Sequence, residues 1–369
     1  MAKIRILVVD DSVVVRRILC DTLAEDPDLE VVGTASNGRV AISKLALLKP
    51  DLVTLDIEMP GMNGLETLAA LRKTHARLPV IMFSTLTERG ASATLEALSL
   101  GATDYATKPS NTGSRSEAVE HVRKELVPKI KALLLPAFRH APSKKVSCIR
   151  ASSPQAERIE IVAIGTSTGG PNALADILPR IPKDFPVPVV IVQHMPALFT
   201  RLLAERLAAR SSIPVREGTH GENLRAGEVW LAPGNYHMTL ARKSGHARLE
   251  LHQGPQENSC RPSVDVLFRG VAEIYGAHVL GVVMTGMGAD GVQGSWAIRA
   301  TGGTVIVQDE ASSIVWGMPG LVYAAGQADG VYSLSQLAEE ITWRVAANRA
   351  LPAAADRADA NALHPPSSR

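Results

Sequence analysis

The sequence predicts two α/β domains, each built on a parallel, doubly wound sheet, within a chain of 369 residues. Short β-branched apolar runs alternate with helix-compatible segments in both halves, the pattern of strands joined by right-handed helical crossovers. Between the halves, Pro136 to Glu157 carries prolines at 136, 142 and 154, a Lys144-Lys145 pair and serines at 143, 147, 152 and 153, a linker composition. After it, the apolar run Ile159 to Ile164 stops at Gly165-Thr166-Ser167-Thr168-Gly169-Gly170-Pro171-Asn172, which reads as strand, tight turn and helix start. The chain is long for one core. The expected division is a first domain over 1–127, a linker over 128–157, a second domain over 158–346, and an Ala-rich, disordered tail over 347–369.

In the first domain Ile4 to Val9 reads as a buried strand ending on Asp10-Asp11-Ser12, where Asp11 or Ser12 can cap the helix over Val13 to Ala24. Helical patterns follow over Val40 to Leu48, Gly64 to His75 and Glu88 to Leu100. Between them, Asp51 to Leu55 leads to Asp56, Pro79 to Phe83 leads to Ser84, and Asp104-Tyr105-Ala106-Thr107 leads to Lys108-Pro109. A parallel sheet places all these strand ends on one edge. Asp10, Asp11, Asp56, Ser84 and Lys108 therefore converge. Three carboxylates can hold Mg²⁺, one can attack a phosphoryl group, a lysine can pair with the resulting charge, and a hydroxyl can bond the new oxygens. A helix-compatible stretch from Arg115 can close the domain.

In the second domain Gly165-Thr166-Ser167-Thr168-Gly169 fits the G-x-S-x-G nucleophile turn, with the N-terminus of the next helix offering unpaired N–H groups to a developing anion. A structural or phosphate-holding turn fits the same residues, but neither G-x-G-x-x-G nor G-x-x-x-x-G-K-[ST] occurs at this turn. A helix is expected over Asn172 to Leu178. The strand Val187 to Val192 then ends on Gln193-His194-Met195-Pro196. The strand His278 to Met284 ends on Thr285-Gly286-Met287-Gly288-Ala289-Asp290-Gly291, with Asp290 where a helix cap would sit. Ser167, His194 and Asp290 thus end three buried strands, and a serine hydroxyl needs an imidazole to take its proton and a carboxylate to hold that imidazole. The order Ser, His, Asp differs from the Ser, Asp, His order of α/β-hydrolases.

Composition limits the alternatives. A formal charge of +2 gives no electrostatic case for nucleic acid, and no helix-turn-helix with a basic recognition helix is evident. No apolar run approaches the roughly 20 residues that span a bilayer. Cys20, Cys148 and Cys260 are too scattered for a disulfide framework or a zinc motif, so a cytosolic protein is expected.

Over residues 3 to 125, the paired acids, the D-x-x-M-P-G-M-x-G stretch from Asp56 to Gly64, Ser84 and Lys108-Pro109 resemble the receiver domain of two-component response regulators. That resemblance implies a flavodoxin-like, five-stranded parallel sheet with Asp56 as phosphoacceptor. It implies Mg²⁺ held by Asp10, Asp11, Asp56 and the Glu58 carbonyl. Ser84 and Lys108 would read the phosphate, and Tyr105 matches an aromatic position that changes rotamer on activation. Ala163 to Pro171, Gln193 to Pro196, Cys260 to Phe268, Thr285 to Gly291 and Trp316 to Pro319 resemble the catalytic domain of the chemotaxis protein-glutamate methylesterases, the CheB family.

The second resemblance implies hydrolysis of glutamate methyl esters on chemoreceptor cytoplasmic domains, with glutamine deamidation as a related activity. By it Ser167 is nucleophile, His194 general base then acid, Asp290 the orienting carboxylate, the Met287 N–H an oxyanion donor and Thr168 a positioning neighbour of the histidine. No cofactor is implied for the esterase. The segment Arg261 to Phe268 reads as substrate-facing, or equally as a capped helix with Val264, Leu267 and Phe268 in the core. The implied partners are methyl-accepting chemoreceptors as substrate and the histidine kinase CheA as phosphodonor, for a monomer without membrane insertion. Two other readings share the pattern: a same-fold hydrolase of a non-flagellar chemosensory pathway, and a phosphorylation-controlled receptor-binding protein without turnover.

Overall fold

The computed structural model describes residues 3–109, 114–134, 158–243 and 245–347. The first domain runs β1 (Ile4–Val9), α1 (Val13–Ala24), β2 (Leu29–Ala35), α2 (Gly38–Leu48), β3 (Leu52–Asp56), α3 (Gly64–Thr74), β4 (Val80–Ser84), α4 (Glu88–Ser99), β5 (Asp104–Thr107) and α5 (Arg115–Leu134). All strand pairs are parallel, in the order β2-β1-β3-β4-β5. The edge strand β2 escaped individual assignment because its interior is only half-buried, so it lacks a continuous apolar run.

Local chemistry holds the strand ends in place. The Ser12 hydroxyl, not Asp11, caps α1 by accepting from Val15 N at 3.3 Å. Asn63 and Glu66 form a reciprocal capping box at the start of α3. A Cβ on Gly64 would stand 2.2 Å from the Asp56 carbonyl oxygen, so only glycine lets α3 start against the end of β3. Helix α5 passes through Pro128 to Leu134, so the boundary expected at residue 127 falls inside a helix. Proline lacks one backbone donor, but Val122, Leu126, Ile130 and Leu133 are buried along its length. The remaining linker, from residue 135, lies outside the described residues, as does the tail beyond Ala347.

The second domain contains β6 (Ile161–Thr166), α6 (Gly170–Ile177), β7 (Val189–Gln193), α7 (Ala197–Ala208), β8 (Val215–Glu217) and β9 (Val229–Leu231). A two-stranded antiparallel ribbon, β10 (His237–Lys243) with β11 (His246–His252), follows. The chain continues through α8 (Val264–Tyr275), β12 (Val279–Val283), α9 (Val292–Ala300), β13 (Thr304–Gln308), α10 (Met318–Ala324), β14 (Gly330–Tyr332) and α11 (Leu334–Ala347). The seven-stranded parallel sheet has the order β14-β13-β12-β6-β7-β9-β8. Early strands lie on one side of β6 and late ones on the other. The switch point, where crevices form at the strand C-termini, falls between β6 and β12.

The two domains share apolar packing. Leu95, Leu98 and Tyr105 of the first belong to one core cluster with Phe199 and Leu203 of the second. The Tyr105 and Phe199 rings stack with centroids 4.7 Å apart. Around them, Thr168 donates to Asp104 at 3.0 Å, Asn172 to the Leu98 carbonyl at 2.9 Å, and Arg201 pairs with Glu88 at 2.9 Å. The α4–β5 surface thus covers the start of α6 beside Ser167. No helix among the described residues is long and apolar enough to cross a membrane.

Candidate active site

Strand register fixes the first two groups. Thr166 pairs with Gln193, so Ser167 and His194 each follow the end of neighbouring strands β6 and β7. His194 N donates to Thr166 O at 3.2 Å and Gln193 Nε2 to Ser167 O at 3.0 Å. From the other side, Ser167 N donates to Thr285 O at 3.0 Å. A Cβ on Gly286 would lie 2.9 Å from Ser167 Cβ and 2.4 Å from Met318 Sδ, so the loop after β12 closes on the serine only because residue 286 is glycine.

That loop delivers Asp290, whose Oδ2 lies 2.8 Å from His194 Nε2. The carboxylate is buried and the imidazole largely so. With Nε2–H held by Asp290, the neutral ring presents its lone pair at Nδ1, and Cys260 Sγ lies 3.5 Å from that atom. Burial alone would lower the His194 pKa, but the hydrogen bond to Asp290, assisted by Cys260, outweighs it and holds it above the ordinary 6.5. Burial would raise Asp290, but the His194 hydrogen bond and charge and the backbone donors hold it below the usual carboxylate range. Ser167 Oγ has no hydrogen-bond partner among the described residues. The imidazole and carboxylate are joined, and the hydroxyl stands at the same rim, unbonded.

Asp290 does cap a helix, but not its own. Its oxygens accept from Val264 N at 2.7 Å and Asp265 N at 2.9 Å, the first turn of α8, and from Ser263 Oγ and Asn258 Nδ2 at 2.8 and 3.0 Å. Asp265 returns the arrangement, accepting from Gly291 N at 2.9 Å and Gly294 N at 2.6 Å around the start of α9. Each carboxylate sits at the positive end of the other's helix. Of the two readings of Arg261 to Phe268, the structure supports the capped helix: Val264, Leu267 and Phe268 are fully buried, and the Arg261 side chain donates to Gly254 O and Asn235 Oδ1. Sequence reasoning missed Asn258, Ser263 and Asp265 as supports of Asp290. The spacing of Ser263 and Asp265 around a helix start was the available signal.

Two expected neighbours behave differently. The Met287 N–H has no acceptor among the described residues, leaving it free for an anion. The Thr168 hydroxyl is donated to Asp104 of the first domain.

At the rim of the first sheet, Lys108 Nζ lies 2.8 Å from Asp10 Oδ2 and 2.8 Å from Asp56 Oδ1. Burial, reinforced by Asp10 and opposed by Lys108, pushes Asp56 up to about 6. Burial raises Asp10 too; it would lower Lys108, but the two carboxylates prevail and raise it. Asp10, Asp11 and Asp56 offer oxygens within 4.8 Å of one another, and Asp56 Oδ2 is buried without a hydrogen-bond partner. That orphaned acceptor in an acidic cluster fits a divalent cation. Glu58 N donates to Asp56 Oδ1 at 3.3 Å, placing the residue-58 backbone beside the cluster. At rest the Ser84 hydroxyl donates to Gly90 O at 3.1 Å, at the start of α4. Tyr105 is buried, its ring stacked on Phe199.

A receiver-type acidic site and a serine–histidine–aspartate rim on a second parallel sheet define a response regulator with an α/β output domain of hydrolase character. Residues 6–120 match the response regulator receiver domain and residues 162–341 the CheB methylesterase family. A relative from Trichodesmium erythraeum named protein-glutamate methylesterase/protein-glutamine glutaminase is 53% identical, covering 94% of this chain and 100% of its own. One of the same name from Nocardioides is 49% identical, covering 95% and 97%. A crystal structure of the Thermotoga maritima CheB methylesterase catalytic domain is 41% identical, covers 50% of this chain and 97% of that one, and superposes with a TM-score of 0.49. The chain belongs to the CheB family of protein-glutamate methylesterases/protein-glutamine glutaminases.

Proposed function

We propose that this chain hydrolyses γ-glutamyl methyl esters, and deamidates glutamines, on chemoreceptor cytoplasmic domains, under control of phosphorylation at Asp56. The observation that carries the chemistry is the His194–Asp290 pair, with Nε2–H committed to the carboxylate and Nδ1 left as the proton acceptor. Ser167 Oγ attacks the ester carbonyl as its proton passes to Nδ1, and Asp290 stabilises the imidazolium. The tetrahedral oxyanion accepts the free Met287 N–H, a contribution of about 3–4 kcal/mol for one such donor in a well-studied protease. The imidazolium returns its proton to the departing methanol. Water, deprotonated by the same nitrogen, then releases the glutamate. The resting serine lies out of hydrogen-bond contact, as catalytic pairs often do before substrate binds.

In the receiver, which we take to extend to Leu134, Asp10, Asp11, Asp56 and the Glu58 carbonyl would hold Mg²⁺. Once bound, that ion neutralises phosphoryl and carboxylate charge. Asp56 accepts the phosphoryl group from a histidine kinase, CheA in this family, and Lys108 pairs with the new charge. Asp56→Ala is expected to leave the basal rate intact and abolish stimulation by a small phosphodonor with Mg²⁺. Methanol release from methylated receptor fragments, with and without phosphodonor, tests both proposals; stimulation surviving in Asp56→Ala removes the phosphoacceptor assignment.

The raised His194 pKa predicts where activity falls with pH. Turnover requires the neutral ring, so the rate declines as pH drops through the imidazole pKa, with a midpoint above 6.5. Asp290→Asn removes the charge that supports the imidazolium. The acid limb should move to lower pH while kcat falls by about 10⁴, as in a protease carrying the equivalent change. A pH–rate profile of phosphodonor-activated protein checks both, and an unshifted limb in Asp290→Asn would exclude the pairing.

A further inference from the structure

Cys260 stands beside the nitrogen on which the proposed reaction depends. Its Sγ lies 3.5 Å from His194 Nδ1, and Sγ, an imidazole nitrogen and an Asp290 oxygen all fall within 4.8 Å of one another. Cys260 and His194 are both of intermediate burial, whereas Asp290 is buried. Zinc binds cysteine sulfur at about 2.3 Å and histidine nitrogen at about 2.0–2.1 Å in tetrahedral geometry, which sets the two ligand atoms about 3.6 Å apart. The observed spacing of 3.5 Å matches that of a chelating pair. Asp290 already holds Nε2–H, the carboxylate–histidine arrangement that fixes a metal-binding ring and increases its donor strength.

We propose that Cys260 Sγ and His194 Nδ1 form an inhibitory site for a thiophilic divalent cation, zinc above all, with water in the open positions. Binding displaces the thiol proton to solvent, leaving a thiolate–metal bond, and occupies the lone pair that would accept the Ser167 proton. Sulfur and nitrogen donors select zinc over Mg²⁺, so the site is chemically separate from the all-oxygen cluster of the receiver. Its effect on turnover rests on the esterase reading; its existence as a metal site does not.

The test uses the full chain, stripped of metal and activated by phosphodonor with Mg²⁺. Zinc should inhibit methanol release reversibly, with chelator restoring the rate. Cobalt in its place should give a thiolate-to-cobalt charge-transfer band. Cys260→Ala and Cys260→Ser, each scored against its own metal-free rate, should lose the band. Both should need more zinc for half-inhibition by at least the roughly 10–100-fold that loss of an outer-shell partner costs. Two variants guard against misfolding of one. An active enzyme with no cobalt band, or with zinc sensitivity unchanged in the folded variants, overturns the site. A Cys260-dependent band in a protein that releases no methanol would retain the metal site and remove the esterase reading instead.

Discussion

Ser167→Ala should yield a folded protein that still accepts phosphate at Asp56 and has lost methyl ester hydrolysis. In a serine protease, removal of the nucleophile costs on the order of 10⁶ in kcat, which places the residual rate at background. The substitution is structurally mild. Ser167 contributes its backbone N–H to Thr285 and its carbonyl to Gln193 Nε2, both kept by alanine, while its Oγ has no partner to lose. Alanine also retains the Cβ that Gly286 accommodates. Loss of activity with unchanged unfolding and unchanged phosphorylation therefore isolates the hydroxyl. Near-normal methanol release would mean that another group attacks the ester, and the role of His194 would have to be reassigned.

The parts of this site that were legible in the sequence are those where a buried β-branched run stops abruptly on a polar residue. Ile161–Thr166, Val189–Gln193 and Val279–Val283 could be read as strands, so Ser167, His194 and Asp290 could be placed at one rim. The supports of Asp290 could not. Asp265 and Asn258 act through hydrogen bonds across two helix starts, and the pairing of α8 with α9 that creates them is tertiary packing with no local pattern. Cys260 opens a stretch that resembles the catalytic domain, but its proximity to His194 could not be read because the two lie 66 residues apart. In the first domain the strand-end residues converge as expected, yet the Ser84 hydroxyl direction depends on a rotamer. The half-buried edge strand β2 lacks the continuous apolar run that marks the buried strands.

Asp104→Ala should raise the basal rate of the unphosphorylated protein and shrink its response to phosphodonor. Asp104 accepts the hydroxyl of Thr168, one residue from Ser167, at a buried position where Lys129 also approaches to 3.3 Å. A hydrogen bond to a charged group contributes about 1.5–3 kcal/mol. The Tyr105–Phe199 stack next to it adds about 0.5–1.5 kcal/mol beyond its buried area. Together these approach the roughly 3–5 kcal/mol needed to move a two-state equilibrium from mostly closed to mostly open. Losing the Asp104 bond alone should increase the open fraction about 10–100-fold until the rate saturates. Asp104→Asn keeps an acceptor oxygen and should have a smaller effect. Phosphorylation can reach the same surface through two contacts: Lys108, one residue after β5, would turn toward the phosphoryl oxygens, and Ser84 would give up Gly90 at the start of α4. Both shifts act on the α4–β5 face that packs against Thr168 and the start of α6. A fragment beginning near Glu157 should accordingly be active without phosphodonor. A folded but inactive fragment, or a basal rate unmoved by Asp104→Ala, would show that the receiver does not restrain the serine by this contact.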